Sequence, residues 1–196
     1  PTFIWPNKSK RNKNLKIVQQ LLNTYFDRKL VIDYEWDYQP KATKIKDSNL
    51  KADFRKTFND KFSVQVEVQF GNMSRWYSDL FKFQAAYSQN LADIAISILP
   101  MSSMANQIDS NVANFERACR ELPAAKESIT LPILLIGIES NKNEIDVSMS
   151  GFNTLNELIG KNKKDNQRRL VNGLIENNKL NQINESSSIG PVPENM

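Results

Sequence analysis

The 196-residue chain has no histidine and a single cysteine, Cys119. Without an imidazole there can be no Ser-His-Asp triad, no Cys-His pair, no histidine metal ligand and no histidine general base. One thiol allows neither an intrachain disulfide nor a cysteine cluster for zinc, which suits a reducing compartment. Any metal must therefore sit on hard oxygen donors, and Mg²⁺ leads. The six glycines form no phosphate-cradling loop. No apolar run reaches the roughly 18 residues that cross a bilayer, and the first residues lack a signal-peptide core, so the expectation is a soluble, intracellular protein with no membrane partner. The net charge of +4 permits a polyanionic partner without indicating one. At this length one domain with a sizeable core is expected.

What the chain does have is a regular alternation from Phe62 to Phe70, Phe-Ser-Val-Gln-Val-Glu-Val-Gln-Phe. Period two sorts it into a strand with a dry face (Phe62, Val64, Val66, Val68, Phe70) and a polar face (Ser63, Gln65, Glu67, Gln69) that must meet water, a metal or a ligand. Glu67 and Gln69 thus point the same way, one pleat apart. Gly71-Asn72 signals a turn, and Ser74 precedes a helical pattern, so a carboxylate lies beside a loop and a helix start.

Along the chain, residues 1–14, with Lys8, Lys10, Arg11 and Lys13, carry little apolar content and are expected to form a basic arm. Leu15, Val18, Leu21, Leu22, Tyr25 and Phe26 recur at helical spacing. Leu30 to Tyr38 alternates and reads as a strand whose polar face carries Asp33, Glu35 and Asp37, a reserve metal site. Leu50 to Phe70 reads as a hairpin in which Asp53 can reach Glu67, with Asp60 at the tip as a rival carboxylate. Trp76 to Leu91 is a helix; Ile94 to Leu99 and Leu131 to Ile138 are short apolar strands with a helical stretch around Asn111 to Leu122 between them, the arrangement of parallel neighbours. One helix runs through Leu170, Leu174 and Ile175. These elements give a single domain over 15–180 and a flexible tail over 181–196.

Glu67-Val68-Gln69-Phe70-Gly71-Asn72, then Asp79-Leu80-Phe81, Val112-Ala113-Asn114-Phe115-Glu116, Ile98-Leu99-Pro100-Met101 and Leu134-Leu135-Ile136-Gly137-Ile138 occur within residues 53–139. Together these blocks resemble type II restriction endonucleases of the BglII, BstYI and BamHI group, within the PD-(D/E)XK nuclease superfamily. The resemblance implies an α/β fold with a restriction-endonuclease-like mixed five- to six-stranded sheet flanked by helices. It implies Mg²⁺-dependent cleavage of both strands of a short palindromic site with a GATC core, giving 5′-phosphate ends. It implies a homodimer on double-stranded DNA, a prokaryotic cytoplasm and a cognate DNA methyltransferase in the host.

By the same resemblance Asp53 and Glu67 hold the metal and Gln69 completes the catalytic motif, where the superfamily usually has lysine. An amide cannot serve as a proton acceptor of lysine's kind and can only orient water. Asn72, Ser74, Arg75, Ser110 and Asn111 are the candidate DNA-binding residues; Asn72 and Ser74 also suit a turn and a helix N-cap. The helices after Ser74 and Asn111 are the candidate dimer face. Two other readings stay open: a DNA-binding module of this fold without catalysis, and a repair or recombination nuclease.

Overall fold

The computed structural model describes residues 1–140, 143–180 and 182–192. Its centre is the hairpin of β3 (Phe54–Phe58) and β4 (Phe62–Val68), antiparallel with Phe54 opposite Val66 and Phe58 opposite Phe62. Asn59 and Asp60 close it with φ of 50° and 55°. Positive φ at both central residues is the geometry whose twist matches the flanking strands, and Asn and Asp tolerate it best after glycine. Asp60 is therefore the turn, seven residues from Glu67 and about 23 Å away at strand rise, and is no rival to Asp53.

On one side β2 (Asp37–Tyr38) pairs antiparallel with β3; on the other β5 (Ile94–Pro100) runs parallel to β4, and β6 (Ile133–Ile138) parallel to β5. The result is a mixed five-stranded sheet in the order β2-β3-β4-β5-β6. A two-stranded parallel pair, β1 (Thr2–Ile4) with β7 (Glu144–Asp146), lies apart from it.

Helices cover both faces. Against one lie α2 (Met73–Ser88) and α4 (Phe115–Glu121), where Trp76, Leu80 and Phe83 bury themselves on Ala95, Leu99, Ala118 and Leu131. Against the other, Val64, Val66 and Phe54 meet Leu30, Val31 and Trp36. The largest core joins α1 (Gln19–Asp27), α3 (Ser102–Ile108), α5 (Leu155–Ile159) and α6 (Lys164–Asn177) through Leu21, Met104, Ile108, Leu158 and Leu170, around Phe3 and Phe70. Asn72, Asn114 and Thr154 cap α2, α4 and α5 by accepting a backbone N–H three residues on.

Several expectations are corrected here. Residues 30–38 are not a strand: the helical path of α1 continues as a wider-wound turn over Arg28–Asp33, and only Asp37–Tyr38 joins the sheet. Asp33 is bound by Arg28 at 2.5 Å and Lys29 at 2.8 Å, so Asp33, Glu35 and Asp37 share no strand face and form no metal site. The N-terminal residues are built in rather than free: Phe3 is fully buried, and Lys8 Nζ donates to the carbonyls of Ile17 (2.7 Å) and Ile108 (2.8 Å). The helix expected from Asn111 begins only after Asn114. Within the C-terminal segment Ile183 and Ser186 are buried against α6, while residues 181 and 193–196 of the expected tail lie outside the described residues.

Candidate active site

The polar face of β4 does not meet bulk water. Gln65, Glu67 and Gln69 are 0%, 1% and 8% exposed, because α2 packs over them. The register places Val66 opposite Phe54, which sets Glu67 across from residue 53, and places Glu67 beside Ser97 on β5. Side chains of laterally paired residues share a face, so Asp53, Glu67 and Ser97 form a transverse row, each one strand spacing of about 4.8 Å from the next. Asp53 is anchored by the backbone N–H of Val68, which donates to its Oδ2 at 2.9 Å.

Burying acids beside one another requires a counter-ion. Lys82, on the turn of α2 above the row, supplies it: its Nζ donates to Glu67 Oε2 and forms a 2.8 Å ion pair with Asp79 Oδ1. Asp79 in turn accepts from Gln69 Nε2 at 2.6 Å, and Gln69 Oε1 accepts from the Gly71 N–H at 2.8 Å. Both ends of the Gln69 amide are thus fixed, leaving one N–H and one acceptor lone pair. Gly71 is required for this close approach, since a Cβ there would sit 2.7 Å from Gln69 Oε1.

The electrostatics follow from the same contacts. Burial raises the Asp53 carboxyl to about 6 against the pull of Lys82 and the Val68 N–H. Burial and the adjacent Asp53 charge push Glu67 well above the ordinary carboxylate range, and burial raises Asp79 also. For Lys82 burial opposes the charge, but Glu67, Asp79 and Asp53 together outweigh it and hold the ammonium above its usual pKa.

Asp53, Gln69, Asp79 and Lys82 line a cleft of about 440 Å³ whose far wall comes from α1 and α6. There Lys164 pairs with the buried Asp27 at 2.8 Å. A second cleft of about 300 Å³ is lined by Asn72, Arg75, Ser110 and Asn111, and shares Gln19, Phe70, Gly71 and Arg75 with the first. Four of the five candidate DNA-binding residues therefore surround one opening next to the acid row. Ser74 lies exposed on α2 and lines neither cleft. Asn72 is the N-cap of α2, its Oδ1 accepting from Arg75 N at 3.2 Å.

The pair Asp53 and Glu67 fits Mg²⁺, which takes oxygen ligands, is commonly held by one or two carboxylates and keeps several waters. The buried Ser97 Oγ, which has no hydrogen-bond partner, offers a polar contact beside Glu67 for such water. Among the described residues no three acids close on one ion; the third acid, Asp79, is occupied by Lys82 and Gln69. Asp79 and Lys82 escaped the sequence reading, though a signal was present: both fall within the buried Trp76-Leu80-Phe83 stripe of α2, where solvated charges do not belong.

A mixed sheet whose central strand carries a buried acid and, just past its end, an amide at a cleft edge, with a second acid directly before the neighbouring strand, has the restriction-endonuclease-like architecture. The family model described as restriction endonuclease BglII/BglIII matches residues 5–138, and the chain belongs to that family. A crystal structure of restriction endonuclease BglII complexed with a DNA 16-mer superposes with a TM-score of 0.57 at 20% sequence identity, covering 73% of this chain and 65% of that one. The chain thus spans less than two thirds of that structure's length. No curated protein sequence matches it. Among the described residues no helix is long and apolar enough to cross a membrane.

Proposed function

We propose that this chain is a type II restriction endonuclease, cutting both strands of a short palindromic DNA site with a GATC core in a Mg²⁺-dependent reaction that leaves 5′-phosphate ends. The observation that carries the reading is the Asp53-Glu67 row, with Asp53 lining a cleft and Glu67 buried across from it beneath Lys82, in a chain of the BglII/BglIII family. Asp53 and Glu67 are the residues that would hold Mg²⁺. Bound there, the ion supplies Lewis-acid polarisation of the scissile phosphate and makes a water easier to deprotonate.

The chain's own groups do the rest. Gln69, locked by Asp79 and Gly71, presents its remaining N–H and lone pair in one orientation and so aligns a water for in-line attack. Arg75 and Lys164 at the cleft walls are suited to phosphates, and Asn72, Ser110 and Asn111 to base edges in the major groove. Ser74 contributes from the exposed start of α2. The exposed aromatics of α2, Tyr77 and Phe81, beside the Tyr77-Glu121-Arg117 hydrogen-bond set that ties α2 to α4, supply the homodimer face that a palindrome calls for. The setting is a prokaryotic cytoplasm with a cognate methyltransferase.

Plasmid DNA incubated with the protein and Mg²⁺, and in parallel with EDTA, tests the reading. Discrete fragments that require Mg²⁺ are expected. Binding without cutting would point to a non-catalytic DNA-binding module, and preference for nicks or junctions to a repair nuclease.

A further inference from the structure

The first 26 residues hold five lysines and arginines and no aspartate or glutamate. Two of the five are committed within the fold: Lys16 pairs with Glu144 at 2.7 Å, and Lys8 donates to the carbonyls of Ile17 and Ile108. Lys10, Arg11 and Lys13 remain. All three are exposed, and none forms an ion pair or a side-chain hydrogen bond among the described residues. Their loop is closed at its base, where the Trp5 N–H donates to the Lys16 carbonyl at 2.7 Å. Inside it the N–H groups of Arg11 and Asn12 each donate to Ser9 Oγ at 3.3 Å, and that of Asn14 donates to Asn12 Oδ1 at 3.0 Å. A loop whose ends meet and whose own side chains hold its turns is a built surface feature, unlike a frayed terminus.

The loop is fastened to the end of α3. The N–H groups of Lys16 and Ile17 both reach the Gln107 carbonyl at 3.0 Å, next to Lys8 on the Ile108 carbonyl at 2.8 Å. The residues that follow Ile108, from Asp109 to Val112, line the second cleft, whereas residues 8–14 line neither cleft. Three uncommitted cations are therefore held just outside the opening where Asn72, Arg75, Ser110 and Asn111 gather. Base edges in a duplex are bordered by phosphates, and cations that meet phosphates set a protein on the duplex without reading sequence. Cations already held in place lose less freedom when they engage than a free arm would. We infer, on the DNA-cleaving reading above, that the Ser9–Asn14 loop is a backbone clamp in which Lys10, Arg11 and Lys13 engage the phosphates bordering the base pairs at the second cleft, adding affinity without sequence preference.

Binding of the full chain to a randomised pool of duplexes about 30 base pairs long, followed by fluorescence anisotropy in Ca²⁺ over a range of salt, tests the clamp without cleavage. The triple variant Lys10→Ala, Arg11→Ala, Lys13→Ala is compared with wild type and with the triple variant Lys61→Ala, Lys126→Ala, Lys179→Ala, which removes the same charge from exposed positions that line neither cleft. Loss of three phosphate contacts should lower the slope of log affinity against log salt by about 2.7 per subunit, so that raising salt from about 50 to about 200 mM weakens the loop variant about 40-fold less per subunit than wild type. The control variant should keep the wild-type slope, and all three proteins should enrich the same sequences from the pool. Wild-type salt dependence in the loop variant, an equal loss in the control, a changed sequence preference, or no duplex binding by the wild type would overturn the inference. Mg²⁺-dependent cutting of plasmid DNA by the wild type separates the two levels. If the wild type binds with a loop-dependent slope but does not cut, the clamp stands and the nuclease reading falls; if it cuts into discrete fragments while the loop variant keeps the wild-type slope, only the clamp falls.

Discussion

Asp53→Asn replaces a carboxylate by an amide of the same shape, able to keep the hydrogen bond from Val68 N–H while losing the charge. In the metal-free protein burial pushes the Asp53 carboxyl up to about 6, from the 3.8 of an ordinary aspartate. A raised carboxyl pKa means the folded state holds the proton more tightly than the unfolded chain does. The stabilisation is therefore complete below pH 4 and is lost as pH rises through 6. At about 1.4 kcal/mol per tenfold change in proton affinity, that difference corresponds to about 3 kcal/mol. Urea unfolding in EDTA at pH 4, 5, 6 and 7.5 should show Asp53→Asn gaining on the wild type across that window by up to about 3 kcal/mol, the gain levelling off above pH 7. Saturating Mg²⁺ at pH 7.5 should reverse the order, because only the wild type offers the ion two carboxylates. A stability difference independent of pH, or one favouring the wild type more at pH 7.5 than at pH 4 in EDTA, would refute the reasoning.

Other consequences reach different parts of the molecule. Asp79→Asn weakens the hold on both Lys82 and Gln69 and should lower cleavage about 10- to 100-fold, the range typical of residues that orient metal-site groups, while duplex affinity in a gel-shift assay changes little. Phe3→Ala should cost about 3–5 kcal/mol in urea unfolding, since Phe3 is fully buried beneath α1; a free arm would show no loss. Phe81→Asp places a charge on a ring that is 64% exposed and should shift the protein from dimer to monomer in sedimentation velocity with the melting temperature unchanged for the monomer. Arg75→Ala should weaken DNA binding and flatten its salt dependence by about one counter-ion.

The hairpin, its polar turn and the parallel strands β5 and β6 were legible because their cues are local: period two, turn residues, and apolar runs bounded by polar ones. Glu67 and Asp53 could be placed opposite one another for the same reason. The environment of Glu67 was not legible, since alternation says which side chains share a face but not what covers that face. Gln65 and Glu67 look like solvent-facing residues and are instead roofed by Lys82 and Asp79, twelve residues or more along the chain. Leu30, Ile32, Tyr34 and Trp36 misled in another way. Alternation in so short a window also arises where a helix end passes into a loop, and Leu30 and Val31 are drawn to the sheet's second face as a continuation of α1. The N-terminal segment reads as polar on average, yet one phenylalanine and one strand pairing suffice to dock it, and composition does not register a single buried ring.

The role of Glu67 is decided by one paired measurement: Glu67→Ala against wild type, assayed for Mg²⁺-dependent cutting of duplex DNA and, in Ca²⁺ or EDTA, for binding to the same duplex, with circular dichroism to verify the fold. Loss of cleavage with duplex affinity kept within a few-fold is the predicted result. A folded Glu67→Ala protein that cuts DNA at the wild-type rate would contradict the assignment of this row as the site of chemistry.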